Sequence, residues 1–266
     1  MTGEVAVHQA EVLDSTSLNA EYHRIRVRAG APASQARPGQ FFQLLCPASP
    51  AGTPFLRRPM SVYGADPASG EVSFLFKVTG IGTSGLAGLV PGDRLDLLGP
   101  LGNGFTLEPG WRHIVALGRG AGLATLAPLG AAARARGMEV TAILSARRPS
   151  LMVADDAFRA AGARVIPVTD AEGTSGPAHV ERLLRGMIAD GRCDALFTCG
   201  SARLLEVVRR LAQGFGIPAM VALEQQMACG LGMCFCCVRS FRVDGQVLHR
   251  RVCYDGPVFD AREALE

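Results

Sequence analysis

The sequence has few charged residues, few aromatic residues and no long apolar run. Charged residues make up only 19% of the chain, and the formal net charge is +3. Because no dense face of Lys and Arg with interleaved aromatics is present, nucleic-acid binding is not expected. No stretch approaches the roughly 20 consecutive apolar residues that a membrane-spanning helix requires. The first residues also lack the basic start and apolar run of a secretion signal. We therefore expect a cytoplasmic protein without nucleic-acid or membrane partners.

Internal repeats and low-complexity tracts are absent as well, which argues against a repeat architecture or a largely disordered chain. The 266 residues are 48% hydrophobic, enough to bury sizeable cores, and a chain of this length commonly forms more than one domain. Eight cysteines are present. In a reducing cytoplasm, that number is better explained by metal ligation than by disulfides.

The first part of the chain, residues 1–108, is predicted to form a six-stranded β-barrel. Short β-rich or alternating segments are separated by turns that contain Pro and Gly, such as Arg37-Pro38-Gly39. Six short strands without a long helix favour a small closed barrel. The predicted strands are Val5–Leu13, Tyr22–Arg28, Phe41–Cys46, Met60–Tyr63, Val72–Val78 and Arg94–Leu98.

Residues 109–222 alternate between strand and helix patterns, and the domain boundary is expected near Pro109–Trp111. Such alternation predicts a doubly wound α/β domain with a parallel sheet. The predicted strands are His113–Leu117, Val140–Leu144, Arg164–Val168, Ala195–Thr198 and Met220–Leu223. The predicted helices are Leu123–Arg136, Asp155–Ala161, Ala178–Ala189 and Ala202–Ala212.

A glycine-rich turn follows the first α/β strand and opens the first helix. Its glycines, Gly118, Gly120 and Gly122, stand where backbone N–H groups and a helix N-terminus can bind a pyrophosphate. A tight turn without a ligand is the alternative. The next strand is followed by Arg147 and Arg148 rather than by the acidic residue that binds a ribose 2′-hydroxyl. These arginines are either solvated or suited to a 2′-phosphate, so the sequence leaves NAD and NADP open.

Two short motifs in the barrel region have chemistry suited to a flavin nucleotide. Residues Arg58-Pro59-Met60-Ser61 combine a cation and a hydroxyl with a fixed backbone. Arg suits a pyrophosphate or an electron-rich ring edge, and Ser suits ring or ribitol oxygens. An ordinary strand with exposed charges is the alternative. The loop that contains Gly82, Thr83 and Ser84 offers small residues and hydroxyls that could cradle a phosphate.

The last part of the chain, residues 223–266, contains a cysteine cluster. Its spacing is C-x4-C-x2-C followed by one distant Cys, which matches a plant-type [2Fe–2S] site. The four candidate ligands are Cys229, Cys234, Cys237 and Cys253. Gly230 and Gly232 allow positive φ angles and close approach to an inorganic core. The segment is therefore predicted to bind an iron–sulfur cluster.

A structural zinc site and a disulfide framework fit these cysteines less well. Zinc sites of that kind usually have two short Cys-x2-Cys pairs, and this segment has one. Disulfide frameworks are typical of small secreted domains. Cys236 lies inside the Cys-x2-Cys pair and is interpreted as a spare buried thiol rather than a ligand.

Five motifs occur in the order and spacing of one family. They are Arg58–Ser61, Gly80–Thr83, Leu98–Phe105, Glu224–Cys229 and Cys253–Phe259. With these motifs, the chain resembles the electron-transfer subunit of the two-subunit, NAD-linked dihydroorotate dehydrogenases, a branch of the ferredoxin–NADP reductase superfamily. The resemblance covers essentially the whole chain, and the cysteine cluster with its Asp-Gly-Pro-Val-Phe tail is its most specific part.

The resemblance implies FAD between the barrel and the α/β domain, a nicotinamide site on the latter, and a [2Fe–2S] cluster that faces a partner. By matching position, the flavin contacts are Arg58, Pro59, Met60 and Ser61, and its pyrophosphate contacts are Gly82, Thr83 and Ser84. Gly118, Gly120 and Gly122 would serve NAD(H). The cluster ligands would be Cys229, Cys234, Cys237 and Cys253.

The resemblance also implies a function in pyrimidine biosynthesis. In the family, an FMN-containing partner oxidises dihydroorotate, and electrons run from FMN through the cluster and FAD to NAD⁺. A heterotetramer of two plus two subunits is expected. This chain would then hold no dihydroorotate site, and we identify no catalytic acid–base residue in it. The alternatives are a stand-alone NAD(P)H reductase for another acceptor, and a cluster- or zinc-containing binding protein without enzymatic function.

Two positions depart from the family pattern at the expected nicotinamide site. Cys199-Gly200-Ser201 stands where the family usually has Cys-Gly-Pro, and Arg119 fills a glycine-turn position that normally holds a smaller residue. Both departures bear on which nicotinamide nucleotide binds.

Overall fold

The first six strands close into an antiparallel barrel. The structure is a computed structural model that describes residues 4–50 and 52–265. The barrel order is β1-β2-β5-β4-β3-β6, which confirms the predicted six-stranded barrel. Its strands are β1 (Ala6–Ser17), β2 (Tyr22–Arg28), β3 (Phe41–Leu44), β4 (Arg58–Asp66), β5 (Glu71–Lys77) and β6 (Arg94–Leu101). A short helix, α1 (Ile81–Ala87), connects β5 to β6.

Strand β3 separates the barrel core from the rest of the molecule. Alternate residues of a strand point to opposite faces. Phe42 is fully buried in the barrel core, where its ring meets that of Phe74 edge to face at 5.6 Å. Phe41 points the opposite way and packs in a second core shared by the α/β sheet and the cysteine segment. The outer face of β3 is therefore covered by the later parts of the chain.

Residues after the barrel form a six-stranded sheet in the order β14-β11-β10-β7-β8-β9. Its strands are β7 (His113–Arg119), β8 (Glu139–Ala146), β9 (Arg164–Thr169), β10 (Ala195–Cys199), β11 (Ala219–Ala222) and β14 (Val258–Asp260). The helices are α2 (Gly122–Ala135), α3 (Asp155–Ala160), α4 (Pro177–Ala189) and α5 (Ala202–Phe215). The first five strands are parallel, as predicted. Strand β14 pairs antiparallel with β11, so the sheet is mixed rather than purely parallel.

The burial pattern explains the α/β arrangement. Residues 114–118 of β7 are all buried, as expected for a parallel strand covered on both faces. Helix α5 buries one apolar face, its Ser201 Oγ accepts a hydrogen bond from the Leu204 N–H at 3.4 Å, and Gly216 ends it with φ +67°. None of the described helices is both long and apolar enough to cross a lipid bilayer.

The cysteine segment packs against both preceding parts. It contains a two-stranded hairpin, β12 (Val238–Val243) and β13 (Gln246–Arg251). The chain then returns to the barrel, where the Asn103 N–H donates to the Gly256 carbonyl at 2.6 Å. Next to it, the Leu223 N–H donates to the Pro257 carbonyl at 2.9 Å before β14 joins the sheet. The three predicted parts thus meet along one segment, while their boundaries at residues 108/109 and 222/223 stay a prediction.

The packing of α2 on β10 generates a stability prediction. A Cβ added at Gly122 would lie 2.6 Å from the Cys199 carbonyl carbon and from the Gly200 nitrogen. Because backbone atoms cannot yield as a flexible side chain does, we expect Gly122→Ala to lower the free energy of unfolding by about 1–3 kcal/mol. Thermal or denaturant unfolding measures this. Gly186→Ala in α4 is the matched control, since nothing lies within 4 Å of its added Cβ. That change should be neutral or stabilise by roughly 0.5–1 kcal/mol, and equal losses in both variants would contradict the prediction.

Candidate functional site

A cleft of about 300 Å³ lies where the barrel, the sheet and the cysteine segment meet. Its wall combines apolar and aromatic side chains with hydroxyls, a lysine and a carboxylate, which suits a flat ring with polar edges. The lining residues are Phe41, Pro59, Met60, Ser61, Leu75, Phe76, Lys77, Thr79, Thr83, Ala121, Leu223, Glu224, Gln225, Met227 and Pro257. All three parts of the chain therefore contribute to one site.

The predicted flavin motif lies mostly in this cleft. Pro59, Met60 and Ser61 of β4 line it, and so does Thr83 of α1. Arg58 lines an adjoining cavity of about 710 Å³, which also contains residues 224–228 and Cys236. The structure thus places the arginine at the edge of the cleft and the hydroxyl-bearing residues inside it.

The start of α1 packs directly under Arg58. A Cβ added at Gly82 would lie 3.0 Å from Arg58 Nε, so a larger residue there would require the Arg58 side chain to shift. The Thr83 hydroxyl oxygen accepts hydrogen bonds from the backbone N–H groups of Thr79 and Gly80 at 2.9 and 3.1 Å. Thr83 therefore also shapes the loop that bears it. Ser84 is exposed and is not part of the cleft wall.

The three glycines of the β7–α2 turn are explained by close packing. A Cβ at Gly118 would lie 2.7 Å from the Leu123 side chain, and Gly122 meets the end of β10 as described above. Gly120 has φ +57°, and its added Cβ would lie 2.8 Å from the Tyr22 hydroxyl. These glycines do not line the described cavities, although Ala121 between them lines the cleft. A role in binding a nucleotide stays a prediction for all three.

A third cavity, called the nucleotide cavity below, has a volume of about 250 Å³ and opens beyond the carboxyl ends of β10 and β11. This edge of a parallel sheet is where α/β proteins bind nucleotides. Residues 198–202 form one wall, and Leu223 and Glu224 form another. Since Leu223 and Glu224 also line the first cleft, the two cavities share a wall.

Glu224 stands at this shared wall, and its individual importance was missed by sequence reasoning, which used it only within a family motif. Its carboxylate oxygen lies 4.0 Å from the Cys199 Sγ. Loss of hydration raises the pKa of the Glu224 carboxyl, and burial likewise raises the pKa of the Cys199 thiol. Burial therefore shifts the pKa of both groups toward higher values. The sequence feature that could have identified Glu224 is an acidic residue directly after the end of a predicted parallel strand.

Arg119 points away from the glycine turn. Its guanidinium donates to both carboxylate oxygens of Asp170, at 2.6 and 3.1 Å, and to the Ser145 hydroxyl at 2.8 Å. The arginine therefore lies across the carboxyl ends of β8 and β9. Because Asp170 is paired in this way, its pKa lies below the usual range. Nearby, Arg147 forms an ion pair with Glu21 of the barrel.

The four predicted cluster ligands come together in two pairs. The Cys234 thiol lies within hydrogen-bond reach of Cys229, and the Cys237 thiol lies within reach of Cys253. Within residues 4–50 and 52–265, no three His, Cys, Asp or Glu side chains converge on the position of a single metal ion. A binuclear cluster with two protein ligands on each iron fits two thiol pairs better than one zinc ion does.

Backbone amides around the cysteines favour thiolates unequally. The Leu231 N–H donates to the Cys229 Sγ at 3.3 Å, and the Cys253 N–H donates to the Cys237 Sγ at 3.3 Å. Burial alone would raise the pKa of the Cys229 thiol, but surrounding N–H donors outweigh it and lower the pKa to about 6. Burial and the neighbouring Cys237 raise the pKa of Cys253 to about 12. The surroundings of Cys229 therefore favour its thiolate, whereas those of Cys253 favour its thiol.

The loop conformation requires its glycines, as predicted. Gly230 and Gly232 have φ angles of +72° and +78°. A Cβ at Gly230 would lie 2.7 Å from the Gln43 side chain. The Gln43 amide is fully buried, and neither its oxygen nor its nitrogen has a hydrogen-bond partner. A buried amide without a partner beside this loop fits an additional group held there, which could accept its N–H.

Cys236 is placed apart from the two thiol pairs. It is exposed, its Sγ lies 3.9 Å from the Gln226 carbonyl oxygen, and it lines the cavity next to Arg58. The interpretation of Cys236 as a buried thiol is therefore wrong, because the loop turns this side chain outward. Its interpretation as a spare thiol outside the ligand set stays a prediction.

The fold is similar to that of known flavin-dependent reductases. One similar solved structure is that of the NADH-dependent reduced ferredoxin–NADP oxidoreductase, from a study of flavin-based electron bifurcation. It superposes with a TM-score of 0.80 at 26% identity, and the match covers 96% of this chain and 89% of the solved chain. Together with the cysteine segment, this similarity defines an oxidoreductase subunit of the flavin and iron–sulfur class.

Sequence comparison identifies the family within this class. The family model described as the iron–sulfur cluster binding domain of dihydroorotate dehydrogenase B matches residues 224–265. The dihydroorotate dehydrogenase B (NAD(+)) electron transfer subunit of Desulforamulus reducens is 33% identical over 88% of each chain. That of Bacillus caldolyticus is 35% identical over 86% of this chain and 87% of its own. The chain belongs to the family of dihydroorotate dehydrogenase B electron transfer subunits.

The two thiol pairs generate a prediction about cluster loading. Cys→Ser at Cys229, Cys234, Cys237 or Cys253 should each remove most of the iron and acid-labile sulfide, because each variant lacks one thiolate. Cys236→Ser is the matched control and should retain both. Iron analysis and visible absorption of anaerobically purified protein measure the outcome. Loss of the cluster in the control together with retention in Cys237→Ser would show that the ligand set is wrong.

Proposed function

We propose that this chain carries electrons between NAD(H) and the FMN of a catalytic dehydrogenase subunit, by way of FAD and a [2Fe–2S] cluster. The partner is dihydroorotate dehydrogenase of pyrimidine biosynthesis, in a cytoplasmic assembly of two plus two subunits. One observation carries the proposal. The cleft shares a wall with the nucleotide cavity through Leu223 and Glu224, and this wall continues at Met227 into the cysteine segment.

The barrel and its neighbours would bind and orient FAD. Ser61 and Thr83 offer hydroxyls inside the cleft, Lys77 offers a cation at its wall, and Arg58 lies at its edge. When bound, FAD would supply the conversion between two-electron exchange with a nicotinamide and one-electron exchange with the cluster. The four cysteines Cys229, Cys234, Cys237 and Cys253 would hold that cluster.

Glu224 would control protons at the boundary between the cleft and the nucleotide cavity. Its raised pKa means that the carboxyl keeps its proton to a higher pH than an exposed glutamate does. A carboxyl that holds its proton can donate a hydrogen bond, and an ionised one can only accept. The Cys199 thiol, whose pKa burial also raises, lies beside it with its Sγ 4.0 Å from the Glu224 carboxylate oxygen.

Ion pairs of two arginines near the glycine-rich turn and after β8 favour NAD(H) as the redox substrate. Arg119 is paired with Asp170, and Arg147 is paired with Glu21, so neither guanidinium is free to bind a phosphate unless an ion pair breaks. A 2′-phosphate gains most from an arginine that is available for bidentate hydrogen bonding. These pairings favour the solvated interpretation of Arg147 over phosphate binding.

The surface around the cysteines fits a protein partner. Four apolar or aromatic side chains are exposed there: Leu231, Met233, Phe235 and Tyr254. Met233 is 79% exposed and Phe235 is 62% exposed. Such a group beside the cysteines, rimmed by Arg250 and Arg251, is typical of an interaction site. We assign this surface to the catalytic subunit, because electron transfer requires the partner to approach the cluster.

Stepwise reduction of the purified protein tests the proposal. Anaerobic protein should show flavin bands on a broad iron–sulfur background, and excess NADH should bleach both. NADPH should react at least tenfold more slowly, because Arg119 and Arg147 are already paired with Asp170 and Glu21. Visible spectroscopy in a stopped-flow instrument measures this. A coloured protein that neither nucleotide reduces would contradict the nicotinamide step, and equal rates would contradict the stated preference.

A surface variant tests the partner assignment. Met233→Ser should weaken binding to the dihydroorotate dehydrogenase catalytic subunit by roughly tenfold, as expected for a contact worth over 1 kcal/mol, while cluster content stays unchanged. Calorimetry or surface plasmon resonance gives the dissociation constant. Val7→Ser is the matched control, since Val7 is 60% exposed but lies on the barrel. Equal affinities for Met233→Ser and the unmodified protein would contradict the assignment.

A further inference from the structure

The nucleotide cavity lies at the point where the sheet changes its winding direction. Strands β7 and β10 are neighbours, and the chain continues from them into α2 and α5. These helices pack in different cores on opposite faces of the sheet. A change of this kind opens a crevice at the carboxyl edge, where α/β proteins bind ligands. The cavity opens on the α5 side, since its lining residues Leu205 and Val221 contact the core of that side.

One hydroxyl in the wall of this cavity has no partner. Thr198 is 1% exposed, and its Oγ1 has no hydrogen-bond partner within residues 4–50 and 52–265. It alternates along β10 with Phe197, which packs in the core on the α2 side. The Thr198 side chain therefore points to the α5 side, where the cavity lies. Because buried hydroxyls are nearly always paired, this one favours a polar ligand in the cavity.

The first turn of α5 adds backbone donors to the same wall. Ser201 and Ala202 line the cavity. A helix start leaves four N–H groups without intrahelical partners, and the Ser201 hydroxyl accepts from one of them, that of Leu204. Gly200 packs this turn against the glycine-rich turn, because an added Cβ would collide with the Arg119 carbonyl oxygen. The N-terminus of this 14-residue helix favours a negative charge in the cavity.

Arg239 of β12 brings a cation to the cavity from the cysteine segment. It lines the cavity, and one guanidinium nitrogen donates to the Leu265 carbonyl oxygen at 3.1 Å. In the part of the chain that the structure describes, this is its one side-chain hydrogen bond, and no carboxylate pairs with it. Arg119 and Arg147, by contrast, are held in ion pairs. Arg239 therefore keeps N–H groups available for an anion.

The wall has one acidic residue among its described members. Glu224 lies where the cavity adjoins the cleft, and it lines both. Because burial raises the pKa of this carboxyl, its repulsion of an anion is reduced. The far wall therefore combines a hydroxyl, a helix start and a guanidinium, which are the donors that an oxyanion accepts from.

We propose that this wall is a phosphate-binding subsite, in which the Thr198 hydroxyl, the first N–H groups of α5 and the Arg239 guanidinium hold one phosphate group. A phosphate accepts from all three kinds of donor. The inference rests on the proposed function for the source of this phosphate. A nicotinamide has to reach the cleft, which adjoins the cavity, so we assign the phosphate next to the nicotinamide ribose. Free inorganic phosphate has the same chemistry and is the second source to test.

Ligand-observed NMR titration of the oxidised holoprotein tests the subsite. Nicotinamide mononucleotide has one phosphate, and nicotinamide riboside has none. Arg239→Gln should weaken binding of the mononucleotide about tenfold, as expected for hydrogen bonds to a charged group, and change that of the riboside less than twofold. Thr198→Val keeps the side-chain shape without the hydroxyl and should weaken the mononucleotide roughly threefold. Equal losses for both ligands would show an effect on the fold of the site and overturn the proposal.

Arg242→Gln is the matched control. It removes the same charge from the same strand, but Arg242 is exposed and does not line the cavity. Its affinity for the mononucleotide should stay within twofold of the unmodified protein, and a loss as large as that in Arg239→Gln would overturn the proposal. If Arg239→Gln does not fold, the comparison of the two ligands in Thr198→Val decides.

Inorganic phosphate, exchanged for chloride at constant ionic strength, distinguishes the two sources. It should displace the mononucleotide from the unmodified protein, and ³¹P NMR should show weaker phosphate binding in Arg239→Gln. Phosphate that binds through Arg239 beside the mononucleotide would support the subsite and assign it to free phosphate. If Arg239→Gln changes the binding of neither ligand, the proposal is overturned while the proposed function stands. An unmodified protein that binds phosphate but not NAD⁺ would instead contradict the proposed function.

Discussion

Backbone hydrogen bonds of residues 254–258 hold the three parts of this molecule together. The Asn103 side-chain amide donates to the carbonyls of Tyr254 and Asp255, and its backbone N–H donates to Gly256. Pro257 accepts from Leu223 of the sheet, and β14 begins one residue later. Cys253 directly precedes this segment. The position of the last cluster ligand is therefore set by the same contacts that join the barrel to the sheet.

This constraint explains why the sites are contiguous. Barrel strand β4 supplies one wall of the cleft, and the residues that follow β11 supply the opposite wall. Those residues continue without interruption into the cysteine loop. A rigid junction keeps distances between bound groups constant, which matters when electrons move between groups held by different parts of one chain.

Local patterns were sufficient to predict the barrel, the five parallel strands and the four cysteines that the fold brings together. The short alternating strands, the apolar run of β7 and the C-x4-C-x2-C spacing are all visible within a few residues. Strand β14 was missed because Val258–Asp260 is too short to show any period. The Arg119–Asp170 pair joins residues 51 positions apart, and no local pattern reports such a contact. The outward turn of Cys236 depends on the positive φ of its neighbour Phe235, which composition does not indicate.

Strand β14 has a consequence beyond the cofactor sites. It occupies the outer edge of the sheet, next to β11. An uncovered edge strand offers unpaired N–H and carbonyl groups to other chains and promotes aggregation. The cysteine segment therefore also covers the edge of β11 with β14. Loss of that pairing would leave the β11 edge open to other chains.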